Sequence, residues 1–476
     1  SRQALVYLGV VFLPQPALLS YYAAARPDHH SLIGLLFVLL LGCALRLVSG
    51  RSDRRVAVAA GAIGGLGLWV SVEFLLPLAL VLTALGVAWL IQGSERARSG
   101  RDFALGLVLV VVLALIAERP SGLEFAVEYD RISIVHLYVM AIILAFWQAV
   151  LVVNVQSRPG RLGVGVFGLI GIFGAIAYAF PLFLAGPYAL VDARVVAVWF
   201  KDTAEVRSLI NTANPLKSLR ETLFLVGPAL VAGPWLWWQI KRDAPERRLG
   251  WGLIGLGLVV FVPLTLYQAR WATYAEFLIV PAYTSLILAM LDRLDRDGLA
   301  AGIKAQIARA AARAMIVGGM ACAFLLLTVL VYKLEDAKPA TAGCGMAKMS
   351  KYMAAAPELN KIPQRIMTLV FFGPEILYRS DHAVVGTPYQ RNTAGILDTI
   401  DFFAAEKPST ALAIAKSRGI DLVMICTTAK EGRWYDKPDS LFRRLATDRA
   451  PNWLSPVTLP KELAKTFRLF ATKPAE

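Results

Sequence analysis

The chain has 476 residues, of which 57% are hydrophobic and only 17% are charged. This composition excludes an ordinary soluble domain and indicates a polytopic membrane protein. The formal net charge of +15 would suggest a nucleic acid partner for a soluble protein. Here much of the positive charge lies in short loops between apolar segments. Membrane topology therefore explains the charge, and no nucleic acid partner is expected.

About eleven apolar segments follow one another along the chain, each near the ~20 residues that a helix needs to cross a bilayer. They lie near 4–22, 31–49, 56–71, 74–93, 103–117, 136–155, 162–184, 222–240, 249–267, 275–291 and 314–332. We therefore predict an α-helical polytopic membrane protein with about 11 transmembrane helices, whose membrane domain spans residues 1–333.

The loops between these segments alternate in charge, which predicts their side of the membrane. One set is short and basic and is assigned to the cytoplasm by the positive-inside rule: 51–55, 96–101, 158–161, 241–248 and 293–313. The other set then lies outside the cytoplasmic (inner) membrane: 26–30, 69–73, 118–135, 187–221 and 268–273. Everything after Lys333 falls on that same extracytoplasmic, periplasmic side.

The tail from residue 334 to residue 476 changes character and mixes polar with apolar residues. Buried strands are predicted over 367–372 and 421–426, and helices over 394–403 and 410–418. This alternation predicts a small extracytoplasmic α/β domain. Cys344 and Cys426 would share its oxidising environment and could pair, although the sequence leaves this open.

The first outer loop carries an unusual set of polar groups between two apolar segments: Arg26, Asp28, His29 and His30. The Asp-x-His pattern offers a hard oxygen and a nitrogen to a divalent cation, and an arginine suits a phosphate. The alternative is a hydrated turn without further chemistry. Two more outer loops contain comparable groups, with Asp202-Thr203-Ala204-Glu205 in one and Arg270-Trp271 in the other.

The order and placement of these three motifs resemble the catalytic subunit of oligosaccharyltransferase, which has a C-type glycosyltransferase fold and an outer C-terminal domain. Asp28 and His30 match that family's second acidic motif. Residues 202–205 resemble its loop motif ending in Glu, and Arg270-Trp271 resembles its arginine ahead of a late helix. The family's first acidic motif would precede residue 1, so we expect this chain to lack the N-terminal helices that carry it.

The resemblance implies a membrane glycosyltransferase that uses a polyprenyl-linked sugar donor. Asp28 and Glu205 would be catalytic, and Arg270 with Arg26 would bind the donor phosphate. A divalent metal, Mg or Mn, would be held by Asp28, His30 and Glu205. The acceptor would be a protein, a lipid or a polysaccharide, and protein glycosylation is the family's reaction.

Two alternatives stay open at this stage. The tail lacks Trp-Trp-Asp-Tyr-Gly, the family's acceptor-recognition signature, which favours considering a single-sugar transferase that uses polyprenyl-phosphate sugars on a lipid or a cell-wall polymer. A transporter of lipid-linked glycans is the second alternative. Transporters tend to place charges near the midplane of repeated, broken helices, whereas the charges here cluster in outer loops and no repeat is visible.

Overall fold

The computed structural model describes residues 2–23, 29–50, 53–119, 125–203, 205–296, 303–335, 344–359 and 361–473. The chain forms two compact units, the first comprising 1–190 with 204–337 and the second comprising 191–203 with 338–476. A boundary near residue 333 was predicted from the change in composition. The sequence analysis did not foresee that residues 191–203 belong with the second unit.

The first 335 residues contain only helices as regular structure in their described part. These helices, in chain order, are α1 Arg2–Phe12, α2 Pro16–Tyr21, α3 His29–Ser49, α4 Arg54–Val70, α5 Leu75–Gln92, α6 Ser94–Glu118, α7 Ile134–Val153, α8 Arg158–Ala179, α9 Ala193–Asp202, α10 Pro215–Val226, α11 Ala229–Arg242, α12 Pro245–Tyr267, α13 Ala272–Arg296 and α14 Ile303–Leu334. Of these, α9 belongs to the second unit.

Eight described helical stretches are long and apolar enough to cross a membrane, and the bent pair α10 and α11 would make a ninth. All of the predicted apolar segments are helical, which confirms the predicted fold class. Two of them fall short of a full span. Segment 4–22 is divided between α1 and α2, since Pro14 and Pro16 lack the N–H that a continuous helix requires. Helix α4 has only 17 residues.

Helices α4 and α6 pack with their backbones in close contact at two glycines. A Cβ at Gly61 would overlap the carbonyl oxygen of Phe103, and a Cβ at Gly106 would overlap that of Val58. Small residues of this kind let membrane helices approach closely and gain dispersion energy, because lipid provides little hydrophobic force between helices.

Arginines in the first turns of α6 and α8 cap the carboxyl ends of neighbouring helices. The Arg96 guanidinium donates to the carbonyl oxygens of Leu47 and Gly50, each at 2.5 Å, at the end of α3. Arg161 donates to the carbonyl oxygen of Trp89 at 2.7 Å, near the end of α5. The last carbonyls of a helix lack intrahelical partners and carry partial negative charge, so these cations stabilise both helix ends.

The second unit contains a five-stranded mixed sheet. Its strands are β1 Arg365–Thr368, β2 Ala383–Val384, β3 Leu422–Cys426, β4 Leu454–Pro456 and β5 Phe467–Thr472. Their order is β2-β1-β3-β5-β4; β1 runs parallel to β2 and β3, and β5 runs antiparallel to β3 and β4. The remaining helices are α15 Met346–Ala355, α16 Gly373–Arg379, α17 Thr393–Ala404, α18 Pro408–Arg418, α19 Leu441–Ala446 and α20 Lys461–Ala464.

The central strand β3 is buried along its whole length, which agrees with its continuous apolar run. The helices predicted over 394–403 and 410–418 are confirmed as α17 and α18. The prediction over 367–372 was wrong beyond Thr368, where the strand ends and a 3-10 turn leads into α16. There the Glu431 carboxylate accepts the backbone N–H groups of Val370 and Phe371 at 2.7 and 3.0 Å. This distant contact turns the chain out of the sheet.

A disulfide joins Cys344, which precedes α15, to Cys426 at the end of β3. The pairing that the sequence left open is therefore present. The bond links residues 82 positions apart, so it restricts a large part of the second unit when that unit unfolds.

Replacing Gly61 by alanine should lower the free energy of unfolding by about 1–3 kcal/mol, because the added Cβ has to displace the backbone of α6. The measurement is a thermal unfolding curve of the detergent-solubilised protein. Gly86→Ala is the matched control, since nothing lies within 4 Å of a Cβ at that position. It should be neutral or slightly stabilising, because alanine favours helix more than glycine does. Equal effects of the two substitutions would contradict this packing.

Denatured but unreduced protein should react with a maleimide at two thiols, Cys43 and Cys322, and at all four after reduction. Cys344→Ser should destabilise the second unit by about 2–4 kcal/mol, whereas Cys322→Ser should not. Mass spectrometry counts the labels and thermal unfolding measures the loss. Four labels before reduction would contradict the disulfide.

Candidate active site at the start of helix α13

Three of the five predicted site residues lie in the described part of the first unit: His30, Glu205 and Arg270. The other two, Arg26 and Asp28, lie outside the described residues. Their predicted roles therefore stay predictions.

The loops that contain Glu205 and Arg270 are joined directly through their backbones. The Arg270 N–H donates to the carbonyl oxygen of Glu205 at 2.9 Å, and the Ala269 N–H donates to that of Arg207 at 3.1 Å. Residues Ala269–Trp271 form a 3-10 turn that leads into α13. The structure thus brings together two of the motifs that the sequence placed on separate outer loops.

The Arg270 side chain is only 16% exposed and has three neighbours of different kinds. Its Nη1 lies 3.7 Å from Oε2 of Glu73. It donates a hydrogen bond to the Tyr188 phenol, and its guanidinium carbon lies 4.9 Å from the centre of the Trp271 ring. Its Nε–H has no hydrogen-bond partner among the described residues. A buried guanidinium that is only partly satisfied can accept an anionic ligand.

Glu73 was not among the predicted site residues, although it lies in a very short turn between two apolar segments. Its carboxylate is 8% exposed, and Oε1 accepts a hydrogen bond from the Tyr274 hydroxyl at 2.8 Å. Tyr274 is itself buried in the first turn of α13. An acid at a membrane surface between two spans was a usable signal, but its partner is 201 positions away and could not be read from the sequence.

Tyr188 lies in the loop that follows α8, outside the spanning helices. Burial raises the pKa of its phenol, and the nearby carboxylates of Glu73 and Asp130 raise the pKa further, while Arg270 lowers it. The phenol is consequently protonated at neutral pH. It can accept a hydrogen bond from Arg270 and still donate its own proton to another oxygen.

Six residues beyond Arg270, the fully buried Glu276 secures the N-terminal part of the chain. Its carboxylate accepts the N–H groups of Ala17 and Leu18 at 3.0 and 2.9 Å, in the first turn of α2. At the other end of α2, the Tyr21 ring stacks on the His30 ring with centres 4.5 Å apart. Helix α13 therefore fixes the helix that immediately precedes the segment containing Arg26 and Asp28. Sequence analysis missed Glu276, for which a lone acid in an apolar segment was the available signal.

Among the described residues, no group of three His, Cys, Asp or Glu side chains is arranged to hold a metal ion. The predicted ligand set of Asp28, His30 and Glu205 includes a residue outside that part of the chain. Two carboxylates and an imidazole suit a divalent ion by donor type. The metal therefore stays a prediction.

No family model matches this sequence, and no curated protein matches it. Solved structures do match. The archaeal oligosaccharyltransferase AglB from Archaeoglobus fulgidus, in complex with an inhibitory peptide and a dolichol-phosphate, matches with a TM-score of 0.60 and 15% identity, covering 91% of this chain and 58% of that one.

Two further structures of an oligosaccharyltransferase from the same organism agree with this match. The apo form has a TM-score of 0.58 and 12% identity, with 89% of this chain and 57% of that chain covered. The complex with Zn and sulfate has a TM-score of 0.53 and 14% identity, with 91% and 56% covered. The chain thus spans less than two thirds of the length of these proteins.

The solved structures match most of this chain, in agreement with the resemblance that was inferred from the three loop motifs and the topology. This chain has the polytopic fold of the archaeal oligosaccharyltransferase structures over most of its length.

Proposed function

We propose that the protein is a membrane glycosyltransferase that transfers a sugar or an oligosaccharide from a polyprenyl-linked donor to an acceptor. The observation that carries this proposal concerns Arg270. Its guanidinium is buried and only partly satisfied by hydrogen bonds among the described residues. Its backbone N–H donates to the carbonyl oxygen of Glu205 in the predicted catalytic loop. The fold supports the proposal, because an archaeal protein of the same fold binds a dolichol-phosphate.

In this reaction a nucleophilic atom of the acceptor forms a bond to the anomeric carbon of the sugar. The bond between that carbon and the phosphate oxygen breaks, and the polyprenyl phosphate leaves with the bonding electrons. Arg270 stabilises the charge that develops on the leaving phosphate, through charge-assisted hydrogen bonds. Tyr188, which accepts a hydrogen bond from Arg270, would donate a further hydrogen bond to the same oxygens.

The predicted catalytic carboxylates are Asp28 and Glu205, which would act through the metal that they hold, while the acceptor's proton passes to solvent. Arg26 is proposed as a second ligand of the donor phosphate. Asp28, His30 and Glu205 would hold Mg or Mn, which when bound supplies Lewis-acid stabilisation of the leaving phosphate. The acceptor class is a protein, a lipid or a polysaccharide.

We place the reaction on the extracytoplasmic face of the cytoplasmic membrane. The alternation of basic loops supports this orientation. The Cys344–Cys426 disulfide in the second unit supports it independently, because disulfides persist in oxidising compartments and are rare in the cytosol.

Arg270→Lys should reduce turnover of a polyprenyl-linked sugar by roughly tenfold or more, which corresponds to ~1.4 kcal/mol of lost transition-state stabilisation. Lysine keeps the charge but lacks the planar fork that pairs with two phosphate oxygens. Turnover is measured at equal protein abundance in membranes. Arg131→Lys is the matched control, since Arg131 is paired with Glu128 on a different outer loop. Unchanged turnover in Arg270→Lys would exclude Arg270 from the donor site.

A cysteine placed at Lys351 should be labelled in intact cells by a membrane-impermeant maleimide, because this exposed position lies in the second unit. The background replaces Cys43 and Cys322 by serine. Arg247→Cys, in the first turn of α12 and within the basic segment 241–248, is the control for the cytoplasmic side and should react only after the membrane is opened. The reverse pattern would contradict the proposed orientation.

A further inference from the structure

The charge of Arg270 is balanced by Glu73 without occupying the donors of the guanidinium. The two side chains lie 3.7 Å apart at Nη1 and Oε2, beyond hydrogen-bond distance. The neighbouring Arg207 shows the opposite arrangement, since Nη1 and Nη2 donate to both oxygens of Glu221 at 2.6 and 3.0 Å. The Arg207 fork is therefore filled by protein, whereas that of Arg270 keeps donors for a ligand.

This distance resolves two opposing requirements at a buried phosphate site. A guanidinium buried without a counter-charge is unfavourable, because desolvation is not offset. A guanidinium in a bidentate ion pair has no fork left for phosphate. A carboxylate held just outside hydrogen-bond distance compensates the charge of the guanidinium and leaves its N–H donors available to a phosphate.

Tyr274 fixes that carboxylate. Its hydroxyl donates to Oε1 of Glu73 at 2.8 Å, and its ring packs against the rings of Phe37 and Phe261, each with its centre 5.0 Å away. The tyrosine is 2% exposed, so it has little freedom to move. The Trp271 ring, whose centre lies 4.9 Å from the guanidinium carbon of Arg270, further restricts the guanidinium.

We infer that Glu73 and Tyr274 are positioning residues for Arg270, which hold its guanidinium ready for the phosphate of a polyprenyl-linked donor. This inference rests on the proposed function, since it concerns the same phosphate site. Neither residue touches the reacting atoms. Their contribution is preorganisation, which avoids moving a charged group when the leaving phosphate forms.

The test measures kcat and donor KM for Glu73→Gln, with and without Arg270→Lys, in the full chain in membranes. Glu73→Gln should lower kcat by roughly tenfold, which is within the ~100-fold loss that a misplacement of about 1 Å can cause. Donor KM should stay equal or fall, because a negative charge beside the phosphate has been removed. In the Arg270→Lys background the further loss should be less than about twofold, because residues that act through one group are not additive.

Tyr274→Phe is the second variant, and it removes one hydroxyl without changing charge or shape. It should also lower kcat, by roughly threefold, and this loss should likewise shrink in the Arg270→Lys background. It keeps the test decisive where Glu73→Gln does not fold, as judged by thermal unfolding. Glu118→Gln is the matched control: that carboxylate, at the end of α6, accepts a hydrogen bond from the Trp69 indole at 2.8 Å and so contacts the same outer loop, 69–73, through a different side chain. Its kcat should match that of the unaltered protein.

Equal losses from Glu73→Gln or Tyr274→Phe in both backgrounds would overturn the inference and leave the proposed function intact. So would a loss confined to KM. A separate measurement is saturable binding of dolichyl or undecaprenyl phosphate by the unaltered protein, without turnover. A protein that neither binds these lipids nor turns over their sugar conjugates overturns the proposed function, and the inference with it.

Discussion

A carboxylate buried in an apolar helix must find hydrogen-bond donors within the protein, because the bilayer offers none. At Glu276 these donors are the backbone N–H groups of Ala17 and Leu18. The contact satisfies two groups that lack intrahelical partners at the start of α2 as well as the acid itself. It also fixes the chain just before the segment that carries Asp28. The same helix, α13, begins beside Arg270, so one element aligns the first and last parts of the candidate site.

The described arginines of the first unit divide by how fully their donors are used. Arg96 and Arg161 cap helix ends, and Arg207 forms a bidentate pair with Glu221. These contacts stabilise the fold. Arg270 has a counter-charge at 3.7 Å, one phenol partner and an unpaired Nε. The guanidinium fork of Arg270 thus keeps donors that a ligand can take up, whereas the forks of Arg96, Arg161 and Arg207 are filled by protein oxygens.

The second unit combines local preference with distant constraint. Apolar runs and helix punctuation predicted β3, α17 and α18 correctly, because short-range pattern dominates there. The strand at 367–372 ended early, since a carboxylate from Glu431 takes the N–H groups that the ladder would have used. The inclusion of residues 191–203 in this unit also had no local signal. Long-range contacts decided both points.

The sequence by itself determined the membrane class, the helical segments and the two loops that carry Glu205 and Arg270. These follow from composition and period, which act over a few turns of chain. Only the tertiary structure decided that Glu73 faces Arg270, that Tyr274 holds Glu73, and that Glu276 anchors α2. Each of these contacts joins residues about 200 or more positions apart in the chain. A lone acid in an apolar segment indicates that a partner exists, but the packing of the helices determines which residue that partner is.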